Sequence, residues 1–244
     1  MTDATQLRLD PLQLTEFYHD EFVKDQVAEF RALVGPLVPG ARVVDLGGGI
    51  GHFASALARE TGARVEVIDS DPESVRRCAD QGVPATTGDA ITTRAADGAE
   101  VATFNMILHH LVTPGFDATR ALQVAALANL ARPRGPRRVF VNEYIYEGLL
   151  VPSLSAAAIF RVTSSGLLSR LAAAVARVVP SLRANTFGVG VRFRDAADWR
   201  RMFDAAGWRV IGHVSDRRDK ISFARRVALA LNDIRQDSFL LERR

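Results

Sequence analysis

Short apolar runs alternate along the chain with longer stretches in which apolar residues recur every three or four positions. Arg42-Val-Val-Asp45, Val65-Glu-Val-Ile-Asp69, Val83 to Thr86, Val101 to Asn105 and Arg138-Val-Phe-Val141 have the length and β-branched content of strands. Helical patterns of about ten to fifteen residues separate most of them, which is the signature of βαβ units and hence of a parallel sheet covered on both faces. Asp71-Pro72-Glu73 starts one helix with a capping carboxylate, a proline at the first helical position and an acid in the first turn. Arg194-Asp195-Ala-Ala-Asp198-Trp199 opens another, ending near Ala206-Gly207 and followed by a strand over Trp208 to Val214. Ser238 to Leu241 is the last apolar run and is expected to form a final strand at the sheet edge.

The pattern divides one domain into four parts. Residues 1–40 read as one or two helices, 41–147 as the alternating core, 148–190 as two helices rich in Ala, Leu and Val, and 191–244 as the rest of the sheet. In open α/β sheets ligands bind beyond the carboxyl ends of the strands, so helices inserted there can roof a site, and otherwise they only thicken the core or form a dimer face.

Composition narrows the class of partner. At 244 residues, 48% hydrophobic and 24% charged, the chain buries one sizeable core. Its net charge of +3 is dispersed. The densest basic stretches, Arg132 to Arg138 and Arg217 to Lys220, are short and lack the interleaved aromatics of a nucleic-acid groove. Gly148 to Pro180 is interrupted by Arg161, Arg170 and Arg177, so it is not expected to cross a membrane. The single cysteine, Cys78, and an amino terminus unlike a signal peptide point to the cytoplasm.

The chemistry concentrates in Val43-Val44-Asp45-Leu46-Gly47-Gly48-Gly49-Ile50-Gly51-His52-Phe53, a strand entering a glycine-rich turn and then a helix. Glycines let a ligand approach bare backbone, and the following helix presents unpaired N–H groups, so this is a nucleotide cradle. Asp69 ends the second strand 20 residues after Gly49, where a carboxylate can accept both hydroxyls of a ribose; Asp71 takes the capping role and leaves Asp69 for the ligand. Gly49-x-Gly51-x-x-Ala54 also fits a dinucleotide fingerprint, which leaves an NAD-dependent oxidoreductase as one alternative and a non-catalytic binding protein of the same fold as another. Asp45 helps to choose between NAD and another adenosine cofactor. A carboxylate at the mouth of the turn repels a pyrophosphate and favours a cofactor with an ammonium, a sulfonium and no phosphate, which describes S-adenosylmethionine.

These residues resemble the class I S-adenosylmethionine-dependent methyltransferases over roughly 41–147 and more loosely from 187 onward. Asp45-Leu-Gly-Gly-Gly-Ile-Gly51 is similar to the family's first motif, around the methionine part of the cofactor, and Val67-Ile-Asp69-Ser70-Asp-Pro72-Glu to the second, whose acid takes the ribose. Gly88-Asp89-Ala90 resembles the third, where the acid and the next backbone N–H address adenine. Phe104-Asn105-Met106-Ile-Leu108-His109-His110-Leu111 resembles the segment lining the methyl end. The resemblance implies a Rossmann-like seven-stranded sheet with a final antiparallel strand. It also implies cofactor contacts from Asp45, Gly47, Gly49, Gly51, Asp69, Ser70, Asp89, Ala90 and Asn105, with S-adenosylhomocysteine as product and no metal.

No Asn-Pro-Pro-Tyr follows the fourth strand run, so the pattern of exocyclic-amine DNA methyltransferases is missing and a small-molecule acceptor is favoured over nucleic acid or membrane. Tyr18, within Phe17-Tyr18-His19-Asp20, resembles an aromatic segment folded across the cofactor. Glu143 and Tyr144, at the end of the fifth strand run, are candidate substrate contacts together with His109. Adjacent residues point apart, so His109 and His110 have different tasks, and one of them is the candidate base. Phe187, Phe193 and Met106 read as apolar lining or core, and Cys78 as packing. The acceptor expected is a secondary metabolite methylated on N or O, either a phenol or a heterocycle of the toxoflavin azapteridine type, and the chain is expected to be a monomer or homodimer.

Overall fold

The computed structural model describes residues 20–149, 154–165, 168, 170, 190–219, 221, 226–227 and 230–244. Phe17, Tyr18, His19, Phe187 and most of the 148–190 insertion lie outside these.

Six α-helices are described: α1 (Asp20–Val34), α2 (His52–Thr61), α3 (Pro72–Cys78), α4 (Phe116–Leu130), α5 (Leu154–Ser164) and α6 (Ala196–Ala205). The strands are β1 (Arg42–Leu46), β2 (Arg64–Asp69), β3 (Ala85–Thr87), β4 (Val101–Asn105), β5 (Arg138–Gly148), β6 (Trp208–Arg218) and β7 (Leu231–Arg243). They form one seven-stranded sheet in the order β3-β2-β1-β4-β5-β7-β6. β1 to β5 are mutually parallel and β7 runs antiparallel to both β5 and β6.

The alternation of side chains along the strands explains the layers. Val43, Val65, Val67, Val101, Phe140 and Leu240 pack on one face against Val27 and Phe30 of α1 and Phe53 and Leu57 of α2. Val44, Leu46, Phe104, Val141, Phe239 and Leu241 pack on the other against Leu127 and Leu130 of α4 and Trp199 and Phe203 of α6. Strands buried on both faces read as continuous apolar runs, which is why they were visible in the sequence.

The final strand is a correction. Ser238 to Leu241 is the middle of a 13-residue β7 that lies inside the sheet, and the edge belongs to β6. Central placement follows from its burial pattern: Ile234 through Leu241 are all buried, whereas an edge strand exposes one side. β5 likewise runs on to Gly148 beside β7, well past Val141. The chain order reverses between β1, which leads to β2, and β4, so the crevice at their carboxyl ends is the expected ligand position.

Candidate active site

At that crevice the chain leaves β1 through three glycines in the left-handed region, Gly47 (φ 70°), Gly49 (φ 55°) and Gly51 (φ 83°). Gly47 donates to the Ile68 carbonyl at 2.7 Å, which ties the turn to the end of β2. Side chains would not fit here. A Cβ on Gly47 would overlap Ile107, one on Gly48 would overlap the Asp45 carboxylate, and one on Gly88 would lie 2.9 Å from Ile68 Cγ2. Gly51 caps α2 without any side-chain hydrogen bond, leaving the first N–H groups of that helix open. The turn is supported from behind by Cys78, whose thiol donates to the Gly49 carbonyl at 3.3 Å and whose pKa burial raises to about 11.

A cleft of about 300 Å³, counting its open mouth, is lined by Gly47, Ile68, Asp69, Ser70, Gly88, Ala90, Ile107 and Leu111. Gly47, Asp69, Ser70 and Ala90, four of the candidate cofactor residues, are thus brought together in one cleft. Gly49 and Gly51 shape the turn from outside the lining. Asp69 is less free than expected, because Oδ2 accepts from Gly49 N–H and Oδ1 from Asp71 N–H, both at 2.9 Å. Each carboxylate oxygen keeps a second lone pair for a ligand. Burial raises its pKa, against the lowering effect of those backbone hydrogen bonds. Asp71 caps α3 as expected, accepting from Glu73 and Ser74.

Asp45 is fully buried. Oδ1 accepts from Thr103 Oγ1 at 2.5 Å, while Oδ2 has no partner. Burial lifts its pKa to about 7, with the Thr103 hydrogen bond opposing and the Asp69 charge adding to the rise. An orphaned acceptor against the glycine turn suits a cationic group. Asp89 is exposed, and its carboxylate accepts from Ile91 N–H at 2.8 Å, so in this state it organises its own turn. Asn105 turns toward α1 and donates to Gln26 at 3.1 Å, within a buried set that continues through Asn142 to Glu29 and Ser238.

Beyond β4 the backbone takes a left-handed turn at Met106 (φ 59°), a position where only glycine is free of strain, and enters a short 3₁₀ turn over Leu108–His110. Glu143 is a second correction. It is completely buried, its Oε1 accepting from Leu108 N–H (2.6 Å) and His109 N–H (3.4 Å) and its Oε2 lying 2.6 Å from His109 Nδ1. Strand alternation points it back under the turn, so it holds His109 and does not face a substrate. The His109 ring stacks on Phe193 (5.1 Å) and meets Tyr144 edge-on (6.3 Å); Phe193 in turn stacks on Tyr146 at 4.2 Å. His110 is 4.1 Å from His109, with its Nδ1 buried and unpartnered, and burial followed by the neighbouring imidazole holds its pKa well below the usual value. Neither histidine lines the cleft, although Ile107 and Leu111 on either side of them do.

Ile68, Ile107 and Tyr146 stand at this crevice and its aromatic edge without having been candidates, and Phe193, expected as apolar lining or core, stacks on His109. The signal for the first two was their place at strand ends flanking the motifs; nothing local marks Phe193, which reaches His109 from 84 positions away.

A methyltransferase-domain family model matches residues 18–213. The chain belongs to this family. The chain is 45% identical over 69 residues to trans-aconitate 2-methyltransferase of Mycobacterium tuberculosis, a match covering 28% of this chain and 26% of that protein. It is 35% identical over 88 residues to a 23S rRNA (uracil(1939)-C(5))-methyltransferase of Halomonas elongata, covering 36% and 18% respectively. The match therefore spans about a quarter or less of either curated relative. Among solved structures it resembles a SAM-dependent methyltransferase of Geobacter sulfurreducens in complex with S-adenosyl-L-homocysteine, with TM-score 0.53 and 19% identity over 98% of this chain and all of that one. The bare glycine backbone and the orphaned Asp45 oxygen fit S-adenosylmethionine, the cofactor implied by the motifs these residues resemble. No described helix is long and apolar enough to cross a membrane.

Proposed function

We propose that this methyltransferase acts on an oxygen or ring nitrogen of a small aromatic acceptor, a phenol or a heterocycle of the azapteridine type, bound past the carboxyl ends of β4 and β5. The observation that carries this reading is the buried Glu143–His109 pair, facing the rings of Tyr144 and Phe193 on the turn whose ends line the cofactor cleft.

When bound, S-adenosylmethionine supplies a methyl group already activated on a sulfonium. Asp69 accepts ribose hydroxyls on its remaining lone pairs, Gly47, Gly88 and Ala90 offer close backbone, and Asp45 holds negative charge against the ammonium. Glu143 fixes the proton of His109 on Nδ1, which leaves Nε2 to take the proton of an acceptor O–H or N–H as its oxygen or nitrogen is methylated. Phe193, Tyr144 and Tyr146 orient a planar ring by stacking and exclude water from it. α5 lies against β5 on this acceptor side, and the protein works as a single domain in the cytoplasm.

The test joins calorimetry with an acceptor screen. S-adenosylhomocysteine is expected to bind at micromolar Kd, weakened by about 1 to 3 kcal/mol in Asp69→Ala, with no NAD binding. With an acceptor in hand, His109→Gln is expected to lower kcat about 10²-fold or more while leaving the cofactor Kd within twofold. An unchanged kcat would reduce His109 to a packing residue.

A further inference from the structure

Arg192 sits on the 190–194 segment that runs beside the turn after β4, its N–H donating to the His109 carbonyl at 2.9 Å. While Phe193 packs on His109, the Arg192 guanidinium lies over the rings of Phe116 (5.0 Å) and Phe160 (5.9 Å). The residue is 8% exposed, and its Nε and Nη1 atoms have neither a hydrogen-bond partner nor solvent. Arg194, two positions on, is the contrast: it donates to Gln123 and Asp198 and is satisfied.

The nearby acids are engaged elsewhere. Asp195 caps α6 by accepting from Asp198 N–H, and Asp198 is held by Arg194, Arg120 and Arg201. Burial, then the Arg194 charge, lowers the Arg192 pKa to about 10, with Asp198 and Asp195 opposing, so it stays charged at neutral pH. A buried guanidinium that meets no anion is a costly arrangement unless something pairs with it.

Two further positive features meet it. Phe116 is the first residue of the 15-residue α4, whose Gly115 cap contributes no side-chain hydrogen bond, so the positive end of that helix is open beside the guanidinium. Arg161 of α5 brings a second guanidinium over the same Phe116 ring, at 5.3 Å. The exposed Asp117 in the first turn of α4 is the acid that opposes them.

We propose that Arg192, Arg161 and the open first turn of α4 form an oxyanion-binding site, taking a carboxylate or phosphate group on the guanidinium groups beside the Phe116 and Phe160 rings, which pack on each other at 4.9 Å. The guanidinium fork matches the planar geometry of a carboxylate and the oxygens of a phosphate. The site is separate from the cofactor cleft and does not depend on the acceptor chemistry proposed above.

The full chain is titrated calorimetrically with inorganic phosphate, with benzoate and with citrate, each with and without saturating S-adenosylhomocysteine, and the series is repeated on Arg192→Gln and Arg192→Lys. At least one oxyanion is expected to bind with one-to-one stoichiometry, about tenfold or more weaker in Arg192→Gln and less weakened in Arg192→Lys, which keeps the charge but loses the fork. Binding of phosphate and carboxylates alike marks a site for a free oxyanion; carboxylate binding that tightens with the cofactor product present marks one for the acceptor's own carboxylate. Failure of all three probes, or equal binding by Arg192→Gln, overturns the proposal. Thermal unfolding without added oxyanion supplies an independent check. Arg192→Met is expected to raise Tm by about 3 °C by removing an unpaired buried charge, and a fall in Tm would instead make Arg192 a structural residue and overturn the site.

Discussion

The two halves of the sheet build their sites by different means. On the β1, β2 and β3 side the cleft comes from glycine dihedrals and the ends of adjacent strands, with carboxylates at the ends of β1 and β2, so the proposed cofactor would meet mostly backbone. On the β5, β7 and β6 side the proposed acceptor region rests on side chains brought together across the fold, Glu143 from β5, His109 from the turn after β4 and Phe193 from the segment before α6. A backbone site tolerates almost no substitution at the glycines and has a fixed local sequence. A side-chain site can be rebuilt residue by residue, which lets one fold accept different substrates.

The largest effect that would sharpen this contrast is expected from Gly47→Ala. The new Cβ has to be carried at φ 70° and overlaps Ile107, so it displaces the residue that separates the cleft from the turn after β4. A loss of about 2 to 4 kcal/mol of stability is expected, from strain and overpacking together. S-adenosylhomocysteine binding should fall by about a hundredfold or more. Tyr146→Phe, on the other side, keeps the ring that stacks on Phe193 and is expected to move stability by less than about 1 kcal/mol. If the two variants lost stability and cofactor affinity equally, the division into backbone and side-chain halves would be wrong.

Asp45 gives the next effect, and its sign can be worked out. Its pKa is about 7 in the folded chain against an ordinary 3.8, so between these values the folded protein binds the extra proton. Stability then falls as pH rises from about 4 to about 7, and above that the buried charge costs about 4 kcal/mol. Asp45→Asn should flatten this slope in denaturant unfolding followed from pH 4 to 8. Binding of S-adenosylhomocysteine should run the other way in the wild type, tightening as pH rises through 7, because the ammonium pairs with the ionised carboxylate. A binding constant independent of pH would remove Asp45 from the cofactor site.

The same contrast governs what could be read from the chain. The βαβ alternation, the glycine turn, Asp69 and the Asp71 cap were legible because each is a local pattern whose cause lies within a few residues. β7 was misplaced because pairing partners are not local: Ser238 to Leu241 is apolar enough for either an edge or a centre, and only its neighbours β5 and β6 decide. Glu143 was misjudged for a related reason. The end of β5 reaches the turn after β4, but strand alternation sends Glu143 under that turn to His109 while Tyr144 meets the His109 and Phe193 rings. Arg192 and Phe193 carry no motif at all, and their surroundings come from residues distant in the chain, Phe116 for the first and His109 for the second.

The smallest expected effect concerns Asp89, where motif and geometry diverge. The motif puts this acid at the adenine end, yet it is exposed and its carboxylate already accepts from Ile91 N–H at 2.8 Å. An exposed acceptor competes with water for any ligand hydrogen bond, so its net contribution to binding is about 1 kcal/mol or less. Asp89→Ala is therefore expected to weaken S-adenosylhomocysteine less than fivefold, well short of the effect of Asp69→Ala, whose carboxylate also anchors Gly49 N–H and with it the whole glycine turn. Asp89→Asn, which keeps an acceptor for Ile91, should fall between Asp89→Ala and the wild type. If Asp89→Ala instead matched Asp69→Ala, the adenine end would have to close on binding, with Asp89 leaving Ile91 for the ligand, and the cofactor half would depend on a side chain as much as the acceptor half does.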